Sequence, residues 1–138
     1  MKIVSKRKTG MVVLLERGDE LIAALKKIAA SHQIRGAWFT ALGAADDIEV
    51  ASYSLHTKKY SMKRFRGEFE ILNITGNVAR KGTETIVHAH GSFGRTNFST
   101  IGGHIMKCLV SASCEIHLQK LPPLNRAFNP EIGLNLFI

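Results

Sequence analysis

Short apolar runs separated by polar punctuation make up most of this chain, and in only one stretch do apolar residues recur at helical spacing. Gly10 to Leu15, Gly-Met-Val-Val-Leu-Leu, is a continuous apolar run too short for a helix, which predicts a central strand covered on both faces. After Glu16-Arg17-Gly18, Asp19 stands as an N-cap with Glu20 near the positive helix end. Leu21, Ile22, Leu25, Ile28 and Ala29 then mark one apolar face of a helix that ends near Ser31 or His32.

Beyond the helix the periodicity changes to that of strands. From Ile34 the chain mixes aromatic and small residues, Trp38-Phe39-Thr40-Ala41-Leu42-Gly43-Ala44-Ala45, which predicts a strand that turns at Gly-Ala-Ala and in which small side chains allow close backbone approach or a subunit contact. Asp46-Asp47 reads as a turn. Ile48 to His56 and Lys58 to Phe65 alternate and are separated at Thr57, the pattern of an antiparallel hairpin with His56 at its tip. Arg66-Gly67-Glu68 reads as another turn, and Phe69 to Val78 as a strand with an acid, Glu70, inside an apolar segment. Such a carboxylate needs a partner, either a nearby Arg or Lys or a place near histidines as ligand or base. Arg80-Lys81-Gly82-Thr83 turns the chain into its next strand. Cys108 to Leu118 predicts one or two further strands with Glu115 and His117 alternating. Leu121-Pro122-Pro123-Leu124 ends regular structure, and Asn129-Pro130-Glu131-Ile132-Gly133 turns into a last strand, Leu134 to Ile138.

The stretch Thr85 to Met106 carries the candidate chemistry. Thr85, Ile86 and Val87 are β-formers, so His88 and His90 share one face of a strand with Cα atoms roughly 6.6 Å apart. His104 follows Gly102-Gly103 at the start of another apolar run, and the intervening loop can return it beside the pair. Three neutral imidazoles make an open site for a divalent metal. No Cys or Asp lies within the stretch as a fourth ligand, which leaves water, Glu70 or a small ligand for that position. The competing reading is that histidines in paired strands bond only to backbone or water. Zinc is the first choice of ion because it tolerates three nitrogens plus water.

Composition narrows the classes. A chain of 138 residues with 45% hydrophobic and 22% charged residues predicts one domain, 1–138, with a real core. No apolar run approaches the roughly 18 residues that would cross a bilayer. The basic start lacks a signal-peptide core, so the expectation is a cytoplasmic protein. Cys108 and Cys114 read as buried fillers. The net charge of +8 favours anionic partners. Its positive residues cluster in Lys2, Lys6, Arg7, Lys8 and in Lys58, Lys59, Lys63, Arg64, Arg66, the latter interleaved with Tyr60 and Phe65 as in nucleic-acid binders, or else forming solvated basic edges that discourage aggregation.

Taken together, Arg17-Gly18-Asp19-Glu20-Leu21, Ala41-Leu42-Gly43-Ala44, Gly67-Glu68-Phe69-Glu70-Ile71-Leu72 with Gly76, His88-Ala89-His90, Gly102-Gly103-His104, Glu115 and Phe128-Asn129-Pro130-Glu131-Ile132-Gly133-Leu134 resemble the PPC domain. This is the plants and prokaryotes conserved family, also called DUF296, in its stand-alone prokaryotic form. The resemblance implies an α+β fold: a single compact domain with a mainly antiparallel sheet packed with one or two helices, assembling as a homotrimer. In plants the domain follows AT-hooks, Arg-Gly-Arg-Pro segments of which this chain has none. Plant versions largely lack the histidines kept here, which suggests that these serve something other than DNA. A cupin also pairs His-x-His with a later His, yet Phe93, Gly94 and Arg95 stand where its Glu would be. The combined expectation is a trimeric metal-binding protein with a site at His88, His90 and His104 for a small ligand, Glu70 acting as base or acceptor, and a DNA-associated assembly module as the alternative.

Overall fold

Alternation of buried and exposed residues runs through strands far longer than the apolar runs suggest. The computed structural model describes all 138 residues, Met1–Ile138. In chain order these form β1 (Lys2–Arg7), β2 (Gly10–Glu16), α1 (Leu21–Ser31), β3 (Ala37–Ser54), β4 (Lys59–Lys81), β5 (Glu84–Arg95), β6 (Thr100–Lys120), β7 (Arg126–Asn129) and β8 (Leu134–Phe137). One antiparallel sheet in the order β1-β2-β6-β3-β4-β5 holds most of the chain, and β7 and β8 form a separate hairpin. Because β5 also pairs with the first part of β6, strands β6, β3, β4 and β5 close into a ring.

The helix covers the inside of that sheet. Leu21, Leu25 and Ile28 join Val13, Leu15, Phe39, Ile74, Phe93 and Ile116 in one buried cluster. One helix is present, within the expected one or two, and it ends with His32 as C-cap as the pattern implied. Its N-cap is Glu20 rather than Asp19. Glu20 accepts from the backbone N–H of Ile22 at 3.1 Å and of Ala23 at 2.8 Å, and also from that of Cys108, so it ties the helix start to β6. Asp19 instead accepts from the backbone of Glu16 and pairs with the amino terminus.

Several expectations are corrected. The supposed turns at Ala44-Ala45, Asp46-Asp47 and Arg66-Gly67-Glu68 all lie inside the continuous β3–β4 pairing, where the register slips between Ala45 and Asp47. A β-bulge absorbs residues whose types favour turns, and so bends the sheet without ending it. Gly43 provides the close approach anticipated for the small residues, since a Cβ there would stand 2.2 Å from the Ser113 carbonyl oxygen. β2 is covered on one face only within this chain: Met11, Val13 and Leu15 are buried, while Val12 is 37% exposed. Cys108 to Leu118 belongs to the single strand β6, and β7 was not anticipated.

Other expectations hold. Ile48 to Ser54 pairs with Lys59 to Phe65, and His56 sits exposed at the tip. Both cysteines are buried free thiols, Cys108 pushed up strongly by burial and Cys114 up to about 12. Lys2, Lys6 and Arg7 lie on β1, an edge strand exposed along its whole length. No helix is long and apolar enough to cross a membrane.

Candidate metal centre

Strand alternation and ring closure together assemble the site. On β5, Ala89 points into the core while His88 and His90 point outward. β5 turns back at Thr96 to Ser99 into β6, which places His104 directly across from His90. The strands can approach because a Cβ on Gly102 would lie 2.5 Å from the Gly91 carbonyl oxygen, and one on Gly103 would lie 2.8 Å from that of Ala51. Glycine at these two positions is what lets β6 run between β5 and β3 with His104 facing the pair.

The three rings surround one point. His88 and His90 have centroids 5.0 Å apart, His88 and His104 5.1 Å, and His90 and His104 5.4 Å. One donor nitrogen from each lies within 4.8 Å of the others. Burial pushes His88 down to about 4, with His104, Arg126 and His90 acting in the same sense. His104 is lowered by burial and then by His90. Both are thus neutral at pH 7, the form that offers a lone pair to a metal. The Nδ1 of His104 is buried without a hydrogen-bond partner, a polar atom that the chain itself leaves unpaired. Donor chemistry and the convergence of the three rings both fit a divalent ion.

A cavity of about 800 Å³ opens on the rings between the β3–β4 hairpin and β6. Tyr60 stacks at 5.2 Å from His104 and at 4.9 Å from Tyr53, whose hydroxyl donates to the Ile132 carbonyl oxygen. Lys63 and Phe65 also line it. On the other side of His88 stands Arg126 from β7. Its Nη2 donates to Asn77 Oδ1 at 3.0 Å and lies 3.4 Å from His88 Nδ1, and its Nη1 donates to the Asn135 carbonyl oxygen.

His88, His90 and His104 therefore come together as the sequence suggested, whereas Glu70 does not join them. Glu70 is exposed on β4 opposite Ala44 and Gly94, beside a different cavity of about 530 Å³ that includes Glu68, Leu72 and Phe98. Phe69 and Ile71 are buried, so strict alternation sends the carboxylate between them to solvent, where water solvates it. Sequence reading missed Tyr60 as a wall of the site and Arg126 altogether. The short apolar pair Ala127-Phe128 before the Asn129-Pro130 turn was the only available signal for β7. Of the second basic cluster, Arg64 is held by the buried Asp47 and Lys58 donates to the Pro130 carbonyl oxygen.

Comparison with known proteins agrees with the fold. A crystal structure of a candidate DNA-binding protein from Bacteroides thetaiotaomicron superposes with a TM-score of 0.95 at 25% identity, covering 99% of this chain and 96% of its own. Another candidate DNA-binding protein, from Ralstonia eutropha, gives 0.90 at 31% identity over 96% and 93% of the two chains. A protein from Archaeoglobus fulgidus described as metal-containing gives 0.89 at 26% identity over 100% and 99%. No curated protein matches the chain in sequence. The family model described as the Plants and Prokaryotes Conserved (PCC) domain matches residues 3–122, nearly all of the sheet and the whole of the three-histidine cluster, and the chain belongs to that family.

Proposed function

We propose that this chain is a metal-binding protein in which His88, His90 and His104 hold one divalent ion, zinc by first choice, and present its remaining positions to a small ligand in the cavities that open on the rings. The observation that carries the reading is the convergence of three imidazoles, with one ring nitrogen of each within 4.8 Å of the others. The metal-containing relative from Archaeoglobus fulgidus supports it. Three nitrogens with an open position suit zinc, which when bound supplies Lewis acidity to an oxygen ligand. The chain's own residues do the rest: Asn77 holds Arg126 beside His88, and the Tyr60 ring screens one side of His104 from solvent. Elemental analysis of purified protein after incubation with zinc tests the reading. About one equivalent per chain is expected, and less than about a tenth would sink it.

The same proposal includes a homotrimer. Leu42 at 56% and Leu72 at 54% exposure leave large apolar side chains on the outer sheet face that a symmetric assembly would cover. Light scattering should report three chains. A DNA-associated role is the second reading, favoured by the two candidate DNA-binding relatives and by the fully exposed basic strand β1. Contacts made only by lysine and arginine would be sequence-indifferent and fade towards physiological salt. Tight binding at that salt with preference for one sequence would place DNA first.

A further inference from the structure

Arg126 is a cation without a counterion. It is half-buried, its Nε is buried with no partner, and it takes part in no salt bridge, while burial lowers its basicity. Two of its N–H groups are used by Asn77 and the Asn135 carbonyl oxygen. Its approach to His88 Nδ1, at 3.4 Å, is long for a hydrogen bond, so Nη2 keeps a donor for a better acceptor. Arg126, His88 and His90 line a common cavity of about 340 Å³ together with Trp38, Leu136 and Phe137. Lys63 lines the larger cavity on the same histidines. No Asp or Glu lines either one. Three neutral imidazoles leave a divalent ion's charge uncompensated, so the site concentrates positive charge with nothing from the chain to balance it. Desolvated charge of one sign is costly until an opposite charge arrives.

We infer that the small ligand of this site is an organic carboxylate, its carboxyl group held by Arg126 beside the histidine-bound ion and its apolar body against Trp38 and Phe137. This rests on the metal reading for the ion but not for Arg126. A guanidinium presents planar paired donors that match a carboxylate, and the Phe137 ring, 4.0 Å from the Arg126 carbon, holds it in plane. The aromatic walls favour a carboxylate with a hydrophobic body over acetate or phosphate.

Trp38 is the only tryptophan in the chain, so its fluorescence reports this cavity. Benzoate, acetate and inorganic phosphate are titrated into zinc-loaded and chelator-stripped protein, and metal content is measured alongside. Benzoate should give a saturable change, tighter than acetate or phosphate, and Arg126→Gln should weaken it by about tenfold or more while keeping its zinc. Since Arg126 also pins the β7–β8 hairpin, thermal melting accompanies each variant, and Arg126→Lys, which keeps charge but loses the fork, serves if the Gln variant is unstable. Unchanged benzoate binding in a folded Arg126 variant overturns the inference, as does the absence of saturation in wild type or tighter binding of phosphate. If no zinc is retained, the metal reading fails by itself, and the stripped-protein titration still decides the role of Arg126.

Discussion

The inner and outer faces of β3, β4 and β5 are made by alternate residues of the same strands, yet they are different materials. Inward, Phe39, Ile74, Ala89 and Phe93 are essentially inaccessible and pack under α1. Outward, their chain neighbours Trp38, Thr40, Thr75, His88 and His90 are polar or partly exposed. One outward row runs by strand register from Val12 through His117, Thr40 and Thr75 to His90 and then His104, so that β6 contributes at both ends because the sheet closes on itself. Stability and chemistry are thus separated by a single step along the chain: Ala89 serves the core and His90 the site.

The strongest way to break this comparison is to truncate one residue on each face. Phe93→Ala removes a fully buried ring and should cost about 3–5 kcal/mol, read by urea unfolding. Trp38→Ala, at 42% exposure, should cost less than about half of that. Equal losses would mean that assembly also covers Trp38, closing a position that is open in the single chain. Dilution across the assembly midpoint would then reduce the Trp38 effect and leave that of Phe93 unchanged.

An intermediate effect is expected where a charge sits beside the bulge. Asp47 is buried and accepts from Arg64 Nε and Lys107 Nζ, each at 2.7 Å. The Arg64 and then the Lys107 hydrogen bonds hold its carboxyl far below the usual carboxylate range. Asp47→Ala should cost about 1–3 kcal/mol, less than a wholly buried pair would, because both cations can still reach water. Its folded pKa being depressed, its contribution is present above its unfolded value of about 3.9 and is lost as pH falls from there through the folded value. Wild type should therefore lose stability on acidification below about pH 4 more steeply than Asp47→Ala. Parallel acid-unfolding curves for the two would refute the assignment.

What could be read from the sequence divides along the same line. The helix, the β3–β4 hairpin end and the His88-Ala89-His90 face follow from local periodicity, and Gly102-Gly103 marked the close approach that brings His104 in. Asp46-Asp47 and Arg66-Gly67-Glu68 misled because bulges and turns draw on the same residue types, and only the cross-strand register tells them apart. Glu70 misled through composition: an acid among apolar neighbours looked buried, although Phe69 and Ile71 as the inward pair already required it to face out. Arg126 was hidden for a different reason. Its role depends on β7 folding back over a strand nearly forty residues earlier in the chain, and nothing in its own neighbourhood announces that contact.

The smallest stability effect should come from the residue on which the site depends most. His104→Ala removes a half-buried ring and loses its stacking with Tyr60, a modest packing loss on a face that is already open. It also removes a buried nitrogen that has no hydrogen-bond partner, and an unsatisfied polar atom of that kind costs about 1–3 kcal/mol while it is present. The two terms oppose each other, so the stability of the metal-free variant should lie within about 1 kcal/mol of metal-free wild type. With zinc added the two should part. Wild type gains stability in proportion to the logarithm of free metal over its dissociation constant, and the variant, left with His88 and His90 alone, gains little. Calorimetric melting of both proteins with and without zinc separates these contributions. A variant that melts far below wild type without metal would make His104 a structural residue, and one that is stabilised by zinc as strongly as wild type would remove it from the ligand set.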